Sequence, residues 1–197
     1  TVNVLGRSAL DAKDRIGYLP EERGLYRRMR IRDFLRFIAN LKGINKADAD
    51  TRIAAWLERL ELEGIDRRRC EELSKGQQQK IQFIASVLHD PDVLILDEPF
   101  AGLDPVNRQL LSSIIRELHE EGRTIVFSTH VLPEAETLCQ HILLMDHGQK
   151  LLDDSLASIR ERFQPSELLI ERLEPGPAPV VAGTRAQAGD AEGLRWS

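Results

Sequence analysis

The sequence predicts an α/β fold: a core of parallel strands with helical crossovers, carrying an inserted α-helical subdomain. After Pro91, strand-length apolar runs alternate with helix-length amphipathic stretches, and such alternation favours parallel strands joined by helices. Between Ile31 and Leu62 apolar residues recur at helical spacing, which marks an insert rather than more sheet. At 197 residues and 42% hydrophobic, the chain can bury one substantial core and a second small subdomain.

The elements follow in order. "TVNVLG" alternates apolar residues up to Gly6, so Val2 to Leu5 reads as a strand of the main sheet. "DRIGYLP" supplies a second short strand, with Ile16, Tyr18 and Leu19 stopped by Pro20. Phe34, Leu35, Ile38 and Leu41 form one helical stripe ending at Gly43, and Ile53, Trp56, Leu57 and Leu60 form the next. In "LSKGQ", Ser74 and Gln77 have capping-box spacing, ahead of a helix with Ile81, Ile84, Ala85 and Leu88 as its buried stripe. "VLILDEP" is apolar on both faces, as a central parallel strand should be. Asp104 and Pro105 read as N-cap and first residue of a helix running to Glu121 and closed by Gly122. "TIVFSTH" is a further strand, followed by a short helix through Leu138. "HILLMDHGQKLLDD" reads as a hairpin turning at His147 and Gly148, "SLASIRERF" as a closing helix, and "SELLIERL" as a last strand-like piece before a tail rich in Pro, Gly and Ala, for which no structure is expected. The expected organisation is a partial core over 1–29, a helical subdomain over 30–88, the rest of the core over 89–163 and an extension over 164–197.

Composition narrows the function classes. The formal net charge is -5, which argues against nucleic-acid binding through bulk electrostatics. Apolar runs such as "VLILD" are far too short to span a bilayer. The two cysteines, Cys70 and Cys139, have no metal-site or disulfide spacing, His141 and His147 complete no four-ligand zinc set, and the N-terminal residues lack a secretory layout. A reducing cytosol is the natural setting.

The chemistry-bearing residues cluster at predicted element ends. The strand Val93 to Leu96 delivers Asp97 and Glu98 at its carboxyl end, the edge where open α/β sheets bind ligands. Asp97 suits magnesium and Glu98 suits a water aimed at a phosphoryl group, although an isolated pair of this kind more often just ends a strand. Ser74 and Gln77 are explained by capping alone, yet free N–H groups, a positive helix end and the small Gly76 also make an anion site. His130 ends its strand at the same sheet edge, within reach of a reacting phosphate.

Taken in sequence, a capped helix headed "LSKGQ", a strand ending Asp-Glu, the "AGLD" turn and a strand ending in histidine resemble the second half of an ATP-binding cassette (ABC) ATPase, from Val4 to about Phe163. The resemblance implies a P-loop NTPase-like (RecA-like) parallel sheet core with an inserted helical subdomain, acting with ATP and Mg2+. It makes "LSKGQ" the signature motif, so that Ser74, Gly76 and Gln77 would contact the γ-phosphate of ATP held by the opposite subunit; Lys75 stands where the family usually has glycine. It makes "VLILDEP" the Walker B strand, with Asp97 the magnesium-site acid and Glu98 the general base. Ala101 to Asp104 become the D-loop that links the two sites of a dimer, and His130 the switch histidine. "GYLPEE" aligns with the Q-loop, with Glu21 where glutamine is common and so a candidate magnesium-site carboxylate. The arginines after it, Arg23, Arg27, Arg28, Arg30 and Arg32, could meet a membrane partner or lipid headgroups, or simply be a solvated face. The implied partners are an ABC-2-type transmembrane permease and a second ATPase subunit, identical or paired, with no nucleic acid. The implied place is cytoplasmic, peripheral on the inner face of the cell membrane. The "GYLPEERGLY" style resembles the exporter branch that includes ATPases associated with sodium efflux.

The phosphate-gripping lysine loop is missing. No G-x-x-x-x-G-K-[ST] occurs, and "GRSALDAKD" lacks both a glycine before Lys13 and a Ser or Thr after it. The expectation is a chain that starts partway through the cassette, hydrolyses ATP negligibly by itself, and folds with low stability because a central layer of sheet is lacking. Two other readings compete: a non-catalytic regulatory subunit supplying only a signature face, and a DNA-repair-type ABC ATPase, which the short helical insert without sustained heptads disfavours.

Overall fold

The computed structural model describes residues 2–22 and 24–163, together with the backbone of 168–171, 186–187 and 193–196. The chain divides into two compact units, Thr1–Leu138 and Cys139–Ser197. Arg23 and most of the expected irregular tail lie outside the described residues.

The first unit opens with a hairpin, β1 (Asn3–Val4) against β2 (Arg7–Ser8), paired antiparallel in a sheet of its own. This corrects the expectation that Val2 to Leu5 joins the main sheet. Leu5 and Gly6 both take positive φ, 53° and 73°, the type I′ geometry that folds a strand straight back on itself. Gly6 thus serves a hairpin turn, not a phosphate loop.

The main sheet has β3 (Ile16–Leu19), β4 (Val93–Asp97) and β5 (Thr124–Ser128) in the order β3-β4-β5, all parallel, as the alternating pattern predicts. Leu19, Leu94 and Leu96 lie on one face and are 0%, 0% and 1% exposed. On the other face, Tyr18, Ile95 and Val126 share one register row and are 58%, 38% and 57% exposed. The expectation of a β4 buried on both faces therefore fails at Ile95.

The helical insert consists of α1 (Ile31–Leu41) and α2 (Lys46–Arg59), with α2 capped by the Asn45 side chain. Their crossing is fixed by apolar packing and by Arg36, whose guanidinium donates to both carboxylate oxygens of Asp50 at 2.5 and 2.6 Å. Phe34, Leu35, Ile53 and Leu57 are buried as their spacing predicts, whereas Leu41, at the end of its helix, is exposed. The chain then returns antiparallel to residues 27–30, through Cys70 N–H to Met29 O and Glu71 N–H to Arg27 O, both 3.0 Å, and enters α3 (Lys75–Val87).

Helix α3 packs on β3 so closely that only glycine fits between them. A Cβ at Gly17 would lie 2.2 Å from the Ser86 carbonyl oxygen and 2.6 Å from Leu94 Cδ2. α4 (Pro105–Glu120) and α5 (Leu132–Leu138) supply the crossover after β4 and the segment after β5.

In the second unit, β6 (His141–Asp146) and β7 (Gln149–Ser155) form the expected hairpin, turning at His147 and Gly148 with φ of 45° and 76°. The closing helix α6 (Leu156–Arg162) is capped by Ser155. β8 (Leu168–Glu171) bears out the last strand-like piece. Its antiparallel partner β10 (Gly193–Trp196), which also pairs with β9 (Ala186–Gln187), puts strand where the tail was expected to be irregular. Among the described residues no helix is long and apolar enough to cross a membrane.

Candidate functional site

Three strands pointing the same way must end at one edge, and this brings the acidic pair and the histidine together. Asp97 is the last residue of β4 and is directly opposite Ser128, the last of β5. The Ser128 hydroxyl donates to Asp97 Oδ1, and Ser128 Oγ in turn accepts the Glu98 N–H at 3.1 Å. Glu98 then leaves the strand with φ 45°, a left-handed conformation that costs a non-glycine residue of order 1–3 kcal/mol and persists only where its surroundings hold it.

That turn aims the Glu98 carboxylate at His130, two residues past the end of β5. Glu98 Oε1 accepts the His130 backbone N–H at 3.1 Å and the ring Nδ1–H at 2.7 Å. The Glu98 side chain is 18% exposed and that of His130 is 81% exposed, so the carboxylate is sheltered while the imidazole faces solvent. The hydrogen bond and charge of Glu98, with smaller help from Glu134 and Glu21, raise the His130 pKa above its ordinary value. Glu21 is exposed on the turn after β3 and reaches His130 through this field.

Ser74, Gly76, Gln77 and Asp104 form a separate group. The Ser74 hydroxyl accepts the Gln77 N–H at 3.2 Å while Gln77 Oε1 accepts the Ser74 N–H at 3.1 Å, the reciprocal cap read from their spacing. Asp104 caps α4 by accepting the Asn107 N–H at 3.0 Å and the Asn107 side-chain amide at 2.6 Å, which holds its carboxyl below the usual range. A Cβ on Gly76 would lie 3.4 Å from both Gly102 O and Leu103 Cδ2, so glycine here lets the start of α3 meet the "AGLD" turn. Together these residues line an open cleft of about 560 Å³. Lys75 is exposed at its rim.

Sequence reasoning missed the residues that tie these parts together. Ser128 was legible in principle, because parallel pairing of "VLILD" with "TIVFS" sets it beside Asp97. Gln79, Lys80 and Asn107 were not. Lys80 is 4% exposed and donates to Leu60 O at 2.6 Å and Asn107 Oδ1 at 2.7 Å; burial pushes its pKa down, partly opposed by Glu61, Asp104 and Glu63.

Among the described residues no group of three or more His, Cys, Asp or Glu is arranged to hold a metal unaided. Magnesium is commonly held by one or two carboxylates, with nucleotide phosphates and water filling the octahedron. The hard oxygens of Asp97 and Ser128 at one sheet edge fit that pattern.

Residues 2–101 match the family model described as ABC transporter. The chain belongs to this ABC transporter family. It is 49% identical over 156 residues to an uncharacterized ABC transporter ATP-binding protein of Alkalihalophilus pseudofirmus, covering 79% of this chain and 58% of that protein. It is 32% identical over 159 residues to the ABC transporter ATP-binding protein NatA of Bacillus subtilis, covering 80% of this chain and 65% of NatA. A solved "Structure of ATP binding subunit of ABC transporter" superposes with a TM-score of 0.72 at 29% identity, over 81% of this chain and 68% of that one. The chain therefore spans between half and two thirds of the length of these curated ABC relatives, and its α/β parallel sheet with helices is that of the P-loop NTPase-like fold.

Proposed function

We propose that this chain is part of the ATP-binding subunit of an ABC transporter, whose full-length protein couples ATP binding and hydrolysis to export through a separate membrane permease. The observation that carries this is the convergence at the ends of β4 and β5: a sheltered Glu98 carboxylate 2.7 Å from the His130 ring, next to Asp97. In this reading Glu98 takes the proton of the attacking water, His130 reports on the γ-phosphate, and Asp97 holds magnesium with Glu21 as a second carboxylate nearby. Bound magnesium would neutralise charge on the phosphate oxygens. Ser74, Gly76 and Gln77 offer the open N-terminus of α3 to ATP on a second ATPase subunit, and Asp104 fixes the turn between the two clusters. Phosphoryl transfer depends mainly on positioning and charge. The 197 residues contain no phosphate-gripping lysine loop, so the chain alone hydrolyses ATP negligibly. The core-and-subdomain divisions at 29, 88 and 163 belong to the same reading, as does a permease of the ABC-2 type at the inner face of the cell membrane.

The test is ATP turnover by the full-length protein beside its Glu98→Gln variant. Turnover should fall by at least about a hundredfold while nucleotide binding is kept. Unchanged turnover removes Glu98 from the role of base. One other reading is a non-catalytic subunit lending a signature face; a full-length protein that binds no ATP yet raises a partner's turnover would establish it.

A further inference from the structure

Among the described residues the buried polar or charged side chains are Gln79, Lys80, Gln82 and Ser86, and all four lie on α3. Burying an amide is unfavourable unless its hydrogen bonds are replaced, so where these side chains point is informative. Gln79 is 2% exposed, and its Nε2 donates to two successive carbonyls, Glu98 O at 3.2 Å and Pro99 O at 3.0 Å. One turn on, Gln82 sends its Nε2 to Glu22 O at 3.4 Å. The polar stripe of α3 thus reaches the backbone of both turns that present candidate site carboxylates.

The Gln79 contact falls on the backbone that most needs holding. Glu98 is the left-handed residue at the sheet edge, and its polar groups are engaged one by one. The N–H donates to Ser128 Oγ, the carbonyl accepts from Ala101 N–H at 3.0 Å and from Gln79, and the carboxylate accepts from His130. The Ala101 bond is local to the turn and travels with it. Gln79 anchors the carbonyl side of Glu98 to a different element, one fixed against β3 by the lack of space at Gly17.

We propose that Gln79 is a positioning residue for Glu98: its buried amide holds the turn in the left-handed conformation that keeps the carboxylate at the strand ends. This rests on the reading of Glu98 as the base. The experiment compares wild-type full-length protein with Gln79→Met, which keeps the length and loses the donors, and Gln79→Glu, which keeps the shape. Gln79→Met should lower kcat between about tenfold and a hundredfold, the range expected for a displacement near 1 Å, with KM for ATP within about twofold. Hydrogen exchange over 97–104 should speed up while 105–120 stays protected. In Gln79→Glu, burial beside two carbonyls favours the neutral acid, whose O–H can donate. This variant should retain turnover near neutrality and lose it on the alkaline side, so that the ratio of its kcat to that of wild type falls as pH rises.

Equal kcat in wild type and Gln79→Met overturns the proposal, as does identical behaviour of the Met and Glu variants at every pH. If Gln79→Met fails to fold, the pH profile of Gln79→Glu carries the test. The two claims fail separately. If Glu98→Gln turns over normally while 97–104 still exchanges faster in Gln79→Met, only the reading of Glu98 as base falls. If Glu98→Gln is dead but exchange over 97–104 is unchanged in Gln79→Met, positioning by Gln79 falls.

Discussion

Replacing Gly17 with alanine drives a methyl group between β3 and α3, and the cost can be worked from the contacts. The new Cβ would sit 2.2 Å from the Ser86 carbonyl oxygen, 2.6 Å from Leu94 Cδ2 and 3.0 Å from Pro91 Cγ. A carbon and a carbonyl oxygen approach comfortably to about 3.3 Å, so strand and helix must part by about 1 Å. The nearest obstacle is backbone, which cannot rotate away as a side-chain tip would. Nor is α3 free to slide, because Gln79, Lys80 and Gln82 bind carbonyls elsewhere in the unit. Overpacking of this kind costs about 1–3 kcal/mol, and the rigid neighbours argue for the upper end. The assay is urea denaturation of wild type and Gly17→Ala, with the change taken from the midpoint at unchanged m-value. Gly43→Ala is the control. At Gly43 φ is +77° with nothing within 4 Å of an added Cβ, so the loss there is backbone strain alone, about 1 kcal/mol. A loss below about 0.5 kcal/mol for Gly17→Ala would refute the claim that helix and strand are in contact through that glycine.

The His130 ring should titrate above the ordinary imidazole value, because Glu98 favours its protonated form; nuclear magnetic resonance of the ring protons should show this, and Glu98→Gln should bring the value back down. With the folded pKa raised, the stabilisation from this pair is complete below the unfolded pKa of about 6.5 and is lost as pH rises through the folded value. A His130 titration that ignores Glu98→Gln would contradict the observed contact. Lys80→Met leaves Leu60 O and Asn107 Oδ1 without their ammonium donor, and should cost about 1–3 kcal/mol by denaturation, whereas a neutral or stabilising result would mean that relief of lysine burial outweighs both bonds.

Much of this architecture was legible because it depends on local rules. Capping needs a short polar side chain at one position, and Ser74 and Asp104 cap their helices as their positions predict. The His147–Gly148 turn and the helical periods around Phe34 and Ile53 are likewise set within a few residues. Parallel pairing followed from the alternation of strand and helix, and with it the meeting of Asp97, Glu98 and His130. Local reading went wrong at Val2 to Leu5, where an alternating pattern with a closing glycine was equally a hairpin, and at Ile95, where strand apolarity says nothing about whether a second layer lies above it.

What the chain order alone determined was the set of reactive groups and the sheet edge to which they come, since strand polarity and capping chemistry are encoded residue by residue. Only the packing of α3 against the sheet decided that Gln79 and Lys80 are buried and that Gly17 admits no side chain. The physical reason is range. A periodicity identifies the face a helix buries, but the satisfaction of a buried amide or ammonium depends on carbonyls about 20 residues away along the chain, whose positions are fixed only once strand and helix have met.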